Sequence, residues 1–355
     1  MAARSAVNYL WNYPQLRRSA FVPRPLTVTY YVTERCNLNC VYCEDFGAKR
    51  NPGAGHADLE TAKQVLGVIR SVTDQITLTG GEPLLHPDIQ DIVEFAAHSV
   101  KFNNITLLTN GSLLRQHEPL LPYLDHLMIS LDDVNPASWQ HIIDAPLQVA
   151  ETILENIIWL AARQRQFGLT LTCNVVITSQ SIPRIPDLLD FIAAHDLSVS
   201  FSPQAIHNWP AYDLLVSEAY LDLLHHIKQR KQQGLKVVGS MAYLQNLIDF
   251  TPYQCFPTLA PRVSPNGDLL YPCKPLKDEN NFQGGVTNLI EHQSWDAAIE
   301  ALFAEYGEPP RACTSCYQQC YAESSLMQAR PVQYLIEKMR FPTSRKIPLT
   351  GYTPG

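Results

Sequence analysis

The sequence predicts an α/β fold, with a parallel sheet in an open or partial barrel followed by a smaller α+β domain rich in cysteine. Short segments rich in β-branched and aromatic residues alternate with amphipathic helical segments over about the first 200 residues. After about residue 235 this alternation stops, and five of the nine cysteines follow. Alternating strand–helix units favour a parallel sheet whose functional residues lie at the carboxyl ends of the strands.

Six strand–helix units are recognisable before residue 235. The predicted strands cover residues 26–33, 75–79, 104–110, 126–132, 169–177 and 197–202. The clearest predicted helices cover residues 58–71, 89–98, 147–165 and 185–195. Six units are fewer than the eight of a closed barrel of this type, so an open or partial (β/α)6 barrel is favoured.

The second part of the chain has a different pattern. Residues 261–273 predict a β-hairpin that turns at Asn266-Gly267, because this dipeptide suits a tight hairpin turn. A helix is predicted at about 294–306, and a last helical stretch near 323–340. The predicted organisation is an N-terminal basic and aromatic segment (1–25), the barrel (26–235), the cysteine-rich domain (236–329) and a basic C-terminal tail (330–355).

Composition excludes several classes of protein. Hydrophobic residues make up 46% and charged residues 17% of the chain, which argues against a disordered or fibrous protein. The net charge of −7 argues against a protein that coats nucleic acid, so no nucleic-acid partner is expected. The sequence contains neither an apolar run long enough for a membrane span nor a signal peptide. A cytoplasmic location is therefore expected.

The charge is unevenly distributed. Residues 1–33 and residues 330–355 each carry a net charge of +4, which leaves −15 on residues 34–329. Both ends also contain aromatic residues, including Trp11 and Tyr334. Such ends suit peripheral contact with an anionic membrane, an acidic substrate or an acidic redox partner such as flavodoxin. Solvated tails along an acidic body are the alternative interpretation.

Three closely spaced cysteines follow the first predicted strand. The nine cysteines are odd in number and accompany no export signal, which indicates metal or redox chemistry rather than disulfides. Cys36, Cys40 and Cys43 have the spacing C-x3-C-x2-C. A zinc site requires four ligands, whereas three thiolates suit a [4Fe–4S] cluster with one iron open to a substrate or cofactor.

Two motifs resemble the signature of the radical S-adenosylmethionine (SAM) enzymes. They are CNLNCVYC at residues 36–43 and Gly80-Gly81-Glu82-Pro83 at the end of the second predicted strand. The resemblance covers about residues 26–205 and implies a partial (β/α)6 barrel. It implies that Cys36, Cys40 and Cys43 hold a [4Fe–4S] cluster whose open iron is chelated by SAM. The alternative is a zinc knuckle beside an accidental glycine turn.

The same resemblance implies roles for other residues. Tyr42 would lie near the adenine of SAM, and Gly80 and Gly81 would let the backbone approach its methionyl amino group. Glu82, followed by Pro83, would mainly orient this loop. Asn110, Ser130 and Asp132 are candidates for ribose contact, at predicted strand ends where caps and turn formers are also common.

The activity implied by the resemblance is the reductive cleavage of SAM. A 5'-deoxyadenosyl radical would then abstract hydrogen from, or add to, an unactivated carbon of the substrate, and flavodoxin or ferredoxin would supply the electron. The substrate would be a peptide or protein, or a small isoprenoid or lipid-like metabolite. The alternative from another class is a non-catalytic iron–sulfur or zinc-binding structural protein.

The C-terminal cysteines resemble the SPASM and twitch domains of this superfamily, which hold auxiliary [4Fe–4S] clusters. The five candidates are Cys255, Cys273, Cys313, Cys316 and Cys320. The resemblance is incomplete and favours one auxiliary cluster, most simply held by the first four, with Cys320 as a spare or substitute ligand. A structural zinc in the same four cysteines is the alternative.

The ninth cysteine, Cys173, stands alone on the fifth predicted strand. It is interpreted as a small buried hydrophobic residue. The functional alternative is a hydrogen-atom donor to a substrate radical, for which Cys320 is the other candidate.

Overall fold

The structure is a computed structural model of the 355-residue chain. It describes residues 4–16, 22–47, 49, 55–206, 209–250, 253–273, 284–308 and 316–341. Cys313 and most of the basic C-terminal tail lie outside the described residues.

A sheet of six parallel strands forms the first part of the chain. The strands are β1 (Val28–Thr33), β2 (Gln75–Gly80), β3 (Asn104–Thr109), β4 (His126–Ser130), β5 (Thr170–Ile177) and β6 (Ser198–Pro203). They lie side by side in chain order, and each pairs in parallel with the next. This arrangement confirms the predicted α/β fold with its parallel sheet, and all six strands lie close to their predicted bounds.

Helices follow most of these strands. The helices of the first part are α1 (Arg4–Gln15), α2 (Leu59–Val72), α3 (Ile89–Glu94), α4 (Pro136–Ile143), α5 (Leu147–Ala161), α6 (Gln164–Phe167), α7 (Ile185–Ala194), α8 (Tyr212–Leu215) and α9 (Glu218–Gln232). The helix α3 continues into a π-helical turn, Phe95–Ser99, and 3₁₀ helices span Pro83–Leu85, Leu114–Tyr123 and Ile182–Arg184. Among the described residues, none of the helices has the length and apolar character needed to cross a bilayer.

The two faces of the parallel sheet differ in polarity. On β5, Leu171, Cys173 and Val175 are fully buried and share one face because side chains alternate along a strand. The opposite face carries Thr172 and Asn174. Cys173 therefore belongs to the apolar core, which confirms its interpretation as a buried hydrophobic residue.

The second part of the chain extends the same sheet. Its strands are β9 (Arg262–Val263), β10 (Asp268–Tyr271) and β11 (Gly285–Asn288), and a separate two-stranded pair, β7 (Ala205–Ile206) and β8 (Trp209–Pro210), follows β6. Strand β9 pairs in parallel with β1, and β10 pairs antiparallel with β9 and β11. The predicted hairpin turn at Asn266-Gly267 is confirmed, and Gly267 has a φ of +91°, which a side chain would strain.

The helices of the second part are α10 (Met241–Asp249), α11 (Leu289–His292), α12 (Trp295–Tyr306), α13 (Gln319–Ala329) and α14 (Pro331–Arg340), with a 3₁₀ helix at Pro257–Leu259. The prediction of a helix at about 294–306 is confirmed, with Ser294 as its N-cap. The predicted last stretch, 323–340, is instead divided between α13 and α14 at Arg330, whose ψ of +60° is not helical. Proline at 331 explains the break because it disfavours the α conformation in the preceding residue.

Candidate functional site

The cysteine loop, residues 34–46, leaves the carboxyl end of β1. Its sulfurs accept backbone hydrogen bonds: Leu38 N–H donates to Cys36 Sγ at 3.5 Å, and Phe46 N–H donates to Cys43 Sγ at 3.4 Å. Cys36, Cys40 and Cys43 are all half-buried. The loop therefore presents its three predicted ligands together at the end of the sheet where chemistry is expected.

The three thiols influence one another electrostatically. The pKa of the Cys36 thiol is raised to about 11: burial is the largest cause, the Leu38 N–H lowers it, and negative charge on Glu82 and Cys43 adds to the rise. Burial also raises the pKa of Cys40, with contributions from Asp132, Cys36 and Cys43. These groups would ionise together only beside a strong positive charge, which bound iron would supply.

Helix α4 anchors the middle of the cysteine loop. The N–H of Asn39 donates to the carbonyl of Ile143 at 3.2 Å, and the N–H of Val41 donates to that of Ile142 at 2.9 Å. These carbonyls belong to the last turn of the helix, where they have no partner within the helix. The loop therefore satisfies them while it fixes its own course.

Two glycines at the end of β2 pack against the cysteine loop. The N–H of Gly81 donates to Thr33 O at 3.1 Å, and the N–H of Glu82 donates to Arg35 O at 2.7 Å. A Cβ on Gly80 would come closer than 3.0 Å to the Thr33 carbonyl oxygen, and one on Gly81 closer than 3.0 Å to that of Arg35. The contact between the two loops therefore requires glycine at both positions.

Glu82 joins the ends of β2 and β3. It is fully buried, its Oε1 accepts from Leu84 N and Thr109 Oγ1, and its Oε2 accepts from Asn110 N at 2.7 Å. Burial raises the pKa of Glu82 and these three hydrogen bonds lower it, which leaves it raised to about 7. Pro83 begins the 3₁₀ helix that follows and is also buried.

Asn110 connects the loop after β3 to the cysteine loop. Its Nδ2 donates to Asn37 Oδ1 at 2.8 Å, and its Oδ1 accepts from Ser112 N at 2.9 Å. The Nδ2 of Asn37 donates in turn to Ser112 Oγ at 3.0 Å. Sequence reasoning did not select Asn37, although it lies directly after Cys36, because this contact joins residues 73 positions apart.

Asp132 lies beneath Tyr42. The hydroxyl of Tyr42 donates to Asp132 Oδ2 at 2.8 Å, and the N–H of Val176 donates to Asp132 Oδ1 at 2.9 Å. Asp132 is only 1% exposed, and burial raises its pKa to about 6, although these two bonds lower it. The structure therefore joins two of the predicted site residues, from the segments that follow β1 and β4, in one hydrogen bond.

Ser130 begins a polar row across one face of the sheet. It pairs in register with Asn174, which pairs with Ser200, and Ser200 Oγ donates to Asn174 Oδ1 at 2.9 Å. Asn174 and Ser200 were not predicted as site residues, although the alternation of polar and apolar residues on β5 and β6 contains this signal. The row supplies hydroxyl and amide groups beside the carboxyl end of β4.

Three of the C-terminal cysteines lie near one another and near Arg262. Cys273 follows β10, Cys316 precedes α13 and Cys320 is the second residue of α13. The Nη2 of Arg262 donates to Cys320 Sγ at 3.6 Å, and its guanidinium lies 5.2 Å from the centroid of the Tyr321 ring. Burial raises the pKa of Cys316, and negative charge on Cys320 and Cys273 contributes. Three of the predicted ligands therefore lie in one neighbourhood.

Cys255 lies beside the same helix, farther along it. The hydroxyl of Ser325 donates to Cys255 Sγ at 3.9 Å, and Cys255 is 5% exposed. Among the described ranges, no three His, Cys, Asp or Glu side chains converge closely enough to hold one metal ion. A four-iron cluster does not require its ligands to converge on one point, since each cysteine ligates a different iron and the sulfurs stay apart.

An acidic cleft of about 790 Å³ opens between the cysteine loop and the β9–β10 hairpin. Five carboxylates line it: Glu34, Glu44, Asp45, Asp58 and Asp268. The lining that the structure describes contains neither lysine nor arginine. The cleft therefore favours cationic or neutral groups over anions.

Comparison with protein families gives two matches. The model of the radical SAM superfamily matches residues 30–192, and that of a domain of unknown function, DUF3463, matches residues 205–339. The first match contains the cysteine loop and the Gly80–Pro83 turn, and the second contains the five C-terminal cysteines.

Three curated relatives share part of the sequence. The probable GTP 3',8-cyclase of Methanothermobacter thermautotrophicus is 38% identical over 31% of this chain and 36% of its own length. The GTP 3',8-cyclase of Streptomyces coelicolor is 28% identical over 63% of this chain and 67% of its own length. The PqqA peptide cyclase of Xanthomonas campestris is 32% identical over 47% of this chain and 44% of its own length. The chain thus spans between about a third and two thirds of the length of these relatives.

Two solved proteins share the fold. Streptococcus suis SuiB bound to its precursor peptide SuiA aligns with a TM-score of 0.61 and 18% identity, covering 86% of this chain and 71% of that one. The protein anSMEcpe with bound AdoMet aligns with a TM-score of 0.58 and 12% identity, covering 89% of this chain and 99% of that one. At these identities the similarity concerns the fold alone.

Proposed function

Residues 30–192 form a radical SAM domain, and on this premise we propose that the chain is an enzyme that cleaves SAM reductively. The observation that carries the proposal is the hydrogen-bonded contact between the cysteine loop and the Gly80–Gly81 turn at the carboxyl ends of β1 and β2. Cys36, Cys40 and Cys43 would hold a [4Fe–4S] cluster, which would supply the electron that splits the sulfonium of SAM into methionine and a 5'-deoxyadenosyl radical. Such a radical would abstract hydrogen from, or add to, an unactivated carbon of the substrate.

Cys36, Cys40 and Cys43 fit such a cluster by number and chemistry. Three thiols come from one loop, and the burial that raises the pKa of Cys36 and Cys40 also shields a cluster from solvent. Because only three cysteines would hold the cluster, its fourth iron would be free for the amino and carboxylate groups of SAM. Loading the site releases the thiol protons, so binding is favoured at higher pH.

The remaining residues of the barrel end orient the ligands. Asp132 holds the ring of Tyr42 through the phenol, which suits Tyr42 to a fixed position beside the adenine. Ser130 and Asn110 offer polar groups for the ribose. Gly80 and Gly81 leave their backbone accessible to the methionyl group, and Glu82 fixes their turn to β3.

The second cysteine neighbourhood supports one auxiliary [4Fe–4S] cluster. We assign Cys273, Cys316 and Cys320 to it because Arg262 and the electrostatic coupling of the three thiols bring them together. The fourth ligand is Cys255 or Cys313. Cys320 then has the role of a ligand rather than of a spare cysteine.

A peptide is the first candidate substrate. SuiB is described with its precursor peptide, and the Xanthomonas relative is a PqqA peptide cyclase. The acidic cleft beside the cysteine loop would accept a neutral or basic peptide segment and repel a triphosphate. A small isoprenoid or lipid-like metabolite is the second candidate, favoured by exposed apolar helices at both ends of the chain. Flavodoxin or ferredoxin is the proposed electron donor, in the cytoplasm.

Anaerobic reconstitution with iron and sulfide, followed by dithionite and SAM, tests the activity. We expect 5'-deoxyadenosine by liquid chromatography and about eight irons per chain for two clusters. A loaded protein that forms no 5'-deoxyadenosine would instead be a non-catalytic iron–sulfur protein, and one that retains zinc but no iron a zinc protein. Stimulation by a short peptide encoded beside this chain, compared with lipid extract, distinguishes the two substrate classes.

A further inference from the structure

Helix α1 buries polar residues and exposes apolar ones, the opposite of an ordinary surface helix. Its buried residues are polar: Ser5, Asn8 and Asn12. The Nδ2 of Asn8 donates to the carbonyls of Pro25 and Val72, at 2.8 and 2.7 Å, and Asn12 exchanges two hydrogen bonds with the backbone of Arg24. Because these bonds hold the polar face inward, the apolar face is turned to solvent.

The exposed face of α1 carries an apolar stripe. Val7 is 46%, Leu10 72% and Trp11 47% exposed. The spacing i, i+3, i+4 places the three side chains on one side of the helix. The guanidinium of Arg24 lies 4.9 Å from the centroid of the Trp11 ring, so a cation accompanies the aromatic residue.

Helix α14 repeats this pattern at the other end of the chain. Val332, Leu335, Ile336 and Met339 are between 56% and 77% exposed, and no residue of the helix is fully buried. Their spacing, i, i+3, i+4 and i+7, is that of a continuous apolar stripe. Such a stripe normally packs against a core, and here it faces outward.

The two helices lie on the same support, α13. The hydroxyl of Tyr9 donates to Met327 O at 3.0 Å, and Gln328 Nε2 donates to Tyr9 O at 3.0 Å. Burial raises the pKa of Tyr334 on α14, and negative charge on Glu323 and Tyr9 contributes, so Tyr334 lies near α1 as well. The α1–α14 face is defined here by its apolar side chains, Val7, Leu10, Trp11, Val332, Leu335, Ile336 and Met339.

The charges around this face are positive. Residues 1–33 contain no acid, and the one acid of residues 330–355, Glu337, is turned inward. Its side chain is 10% exposed, accepts from Met241 N and lies 3.8 Å from Lys231 Nζ. Basic residues on or beside the helices are Arg4, Arg24, Arg330, Lys338 and Arg340. Since residues 34–329 carry −15, an anionic surface would attract this face and repel the rest of the molecule.

We propose that the α1–α14 face docks on the surface of an anionic lipid bilayer. The apolar stripes enter the boundary between headgroups and acyl chains, while the surrounding lysine and arginine side chains contact lipid phosphates. Apolar stripes that include leucine and tryptophan, flanked by lysine and arginine, are the pattern of helices that lie in a lipid interface. This surface is independent of the chemistry at the barrel.

Co-sedimentation with vesicles tests the proposal on the reconstituted full chain. We expect binding to phosphatidylcholine vesicles that contain about 30% phosphatidylglycerol, weak binding to pure phosphatidylcholine, and release by added salt. The double variant L335S/M339S should weaken binding at least about tenfold, because two apolar anchors are lost. K338Q/R340Q should weaken binding and also reduce its dependence on salt.

Matched controls come from other exposed positions. The control for the apolar variants is V216S, because Val216 is 63% exposed and lies outside the α1–α14 face. The control for the charge variants is R165Q, because Arg165 is also exposed and lies outside that face. Both variants should bind vesicles as the parent does, and all variants should retain their iron content and circular dichroism.

Three outcomes would overturn the proposal. They are no sedimentation with anionic vesicles at low salt, equal binding to neutral and anionic vesicles, and equal losses for V216S and L335S/M339S. A dimer in analytical ultracentrifugation that L335S/M339S dissociates, without vesicle binding, would instead make the face a contact between two copies of the chain.

Discussion

The two cysteine-bearing regions of this molecule are built in different ways. At the barrel end, the three cysteines lie within residues 36–43, and backbone hydrogen bonds fix their loop to α4 and to the Gly80–Gly81 turn. In the C-terminal region, the cysteines come from separate segments between residues 255 and 320. There Cys320 Sγ accepts a hydrogen bond from the side chain of Arg262, and Cys255 Sγ accepts one from that of Ser325.

This difference separates two kinds of constraint. The course of the first loop is set by backbone hydrogen bonds, to which the side chains of Asn37 and Tyr42 add contacts, and a Cβ between the two loops would disturb it. A site assembled from distant side chains depends on each partner and on the sheet that joins them. The first site should therefore respond to changes in glycine, and the second to changes in charge.

The largest expected effect separates the roles of the two sites. Cys40→Ala should reduce 5'-deoxyadenosine formation to background, because the catalytic cluster loses a ligand. Cys320→Ala should remove about four irons per chain while SAM cleavage without substrate persists. Iron analysis and chromatography of 5'-deoxyadenosine on both variants provide the measurement. Full iron content in the Cys320 variant would exclude Cys320 as a ligand.

The next effect concerns the acid that ties β2 to β3. The pKa of Glu82 is about 7 in the folded chain against an ordinary 4.5. The folded chain therefore holds a proton that the unfolded chain loses as pH rises between these values. The associated stability is fully present below pH 4.5 and is lost as pH rises through 7, on the order of 3 kcal/mol.

Glu82→Gln should remove this dependence on pH, whatever its effect on absolute stability. Urea unfolding at several pH values between 4.5 and 8 measures the slope of the unfolding free energy. Glu155→Gln, at an exposed helix position, is the matched control and should keep the parental slope. An unchanged slope in Glu82→Gln would show that Glu82 is already ionised in the folded state.

A smaller effect tests the backbone contact itself. Gly81→Ala places a Cβ against the Arg35 carbonyl and should lower the unfolding free energy by about 1–3 kcal/mol, with loss of cluster loading. Gly67→Ala is the control, since its Cβ meets no atom within 4 Å and alanine favours the helix by about 1 kcal/mol. Denaturant unfolding gives both values. Equal stability of the two variants would contradict the tight contact.

The smallest effect tests the side-chain constraint of the second site. Arg262→Gln removes a positive charge beside Cys320 and should lower the reduction potential of the auxiliary cluster, since a cation favours the more negative reduced state. Each 1.4 kcal/mol of lost interaction corresponds to about 60 mV. Redox titration followed by electron paramagnetic resonance measures it, with Arg165→Gln as control. A potential that does not move would separate Arg262 from the cluster.

Local patterns were sufficient for the barrel and its cysteine loop. The predicted strands at 75–79 and 169–177 agree with Gln75–Gly80 and Thr170–Ile177, because β-branched runs bounded by turn residues are a local signal. The cysteine motif is equally local, since its spacing lies within one loop. The break before Pro331 was not predicted, although proline favours the first position of a helix and so could have marked the start of α14.

What the sequence determined by itself is the class of fold and the identity of the cysteine loop, since both depend on neighbours along the chain. Only the tertiary structure decided that β9 joins β1, that Asn37 meets Asn110 and that Arg262 lies beside Cys320. It also decided that α1 buries its asparagines and exposes its leucine and tryptophan. These contacts depend on strand register and on which helix face meets the body, and residues far apart in sequence fix both.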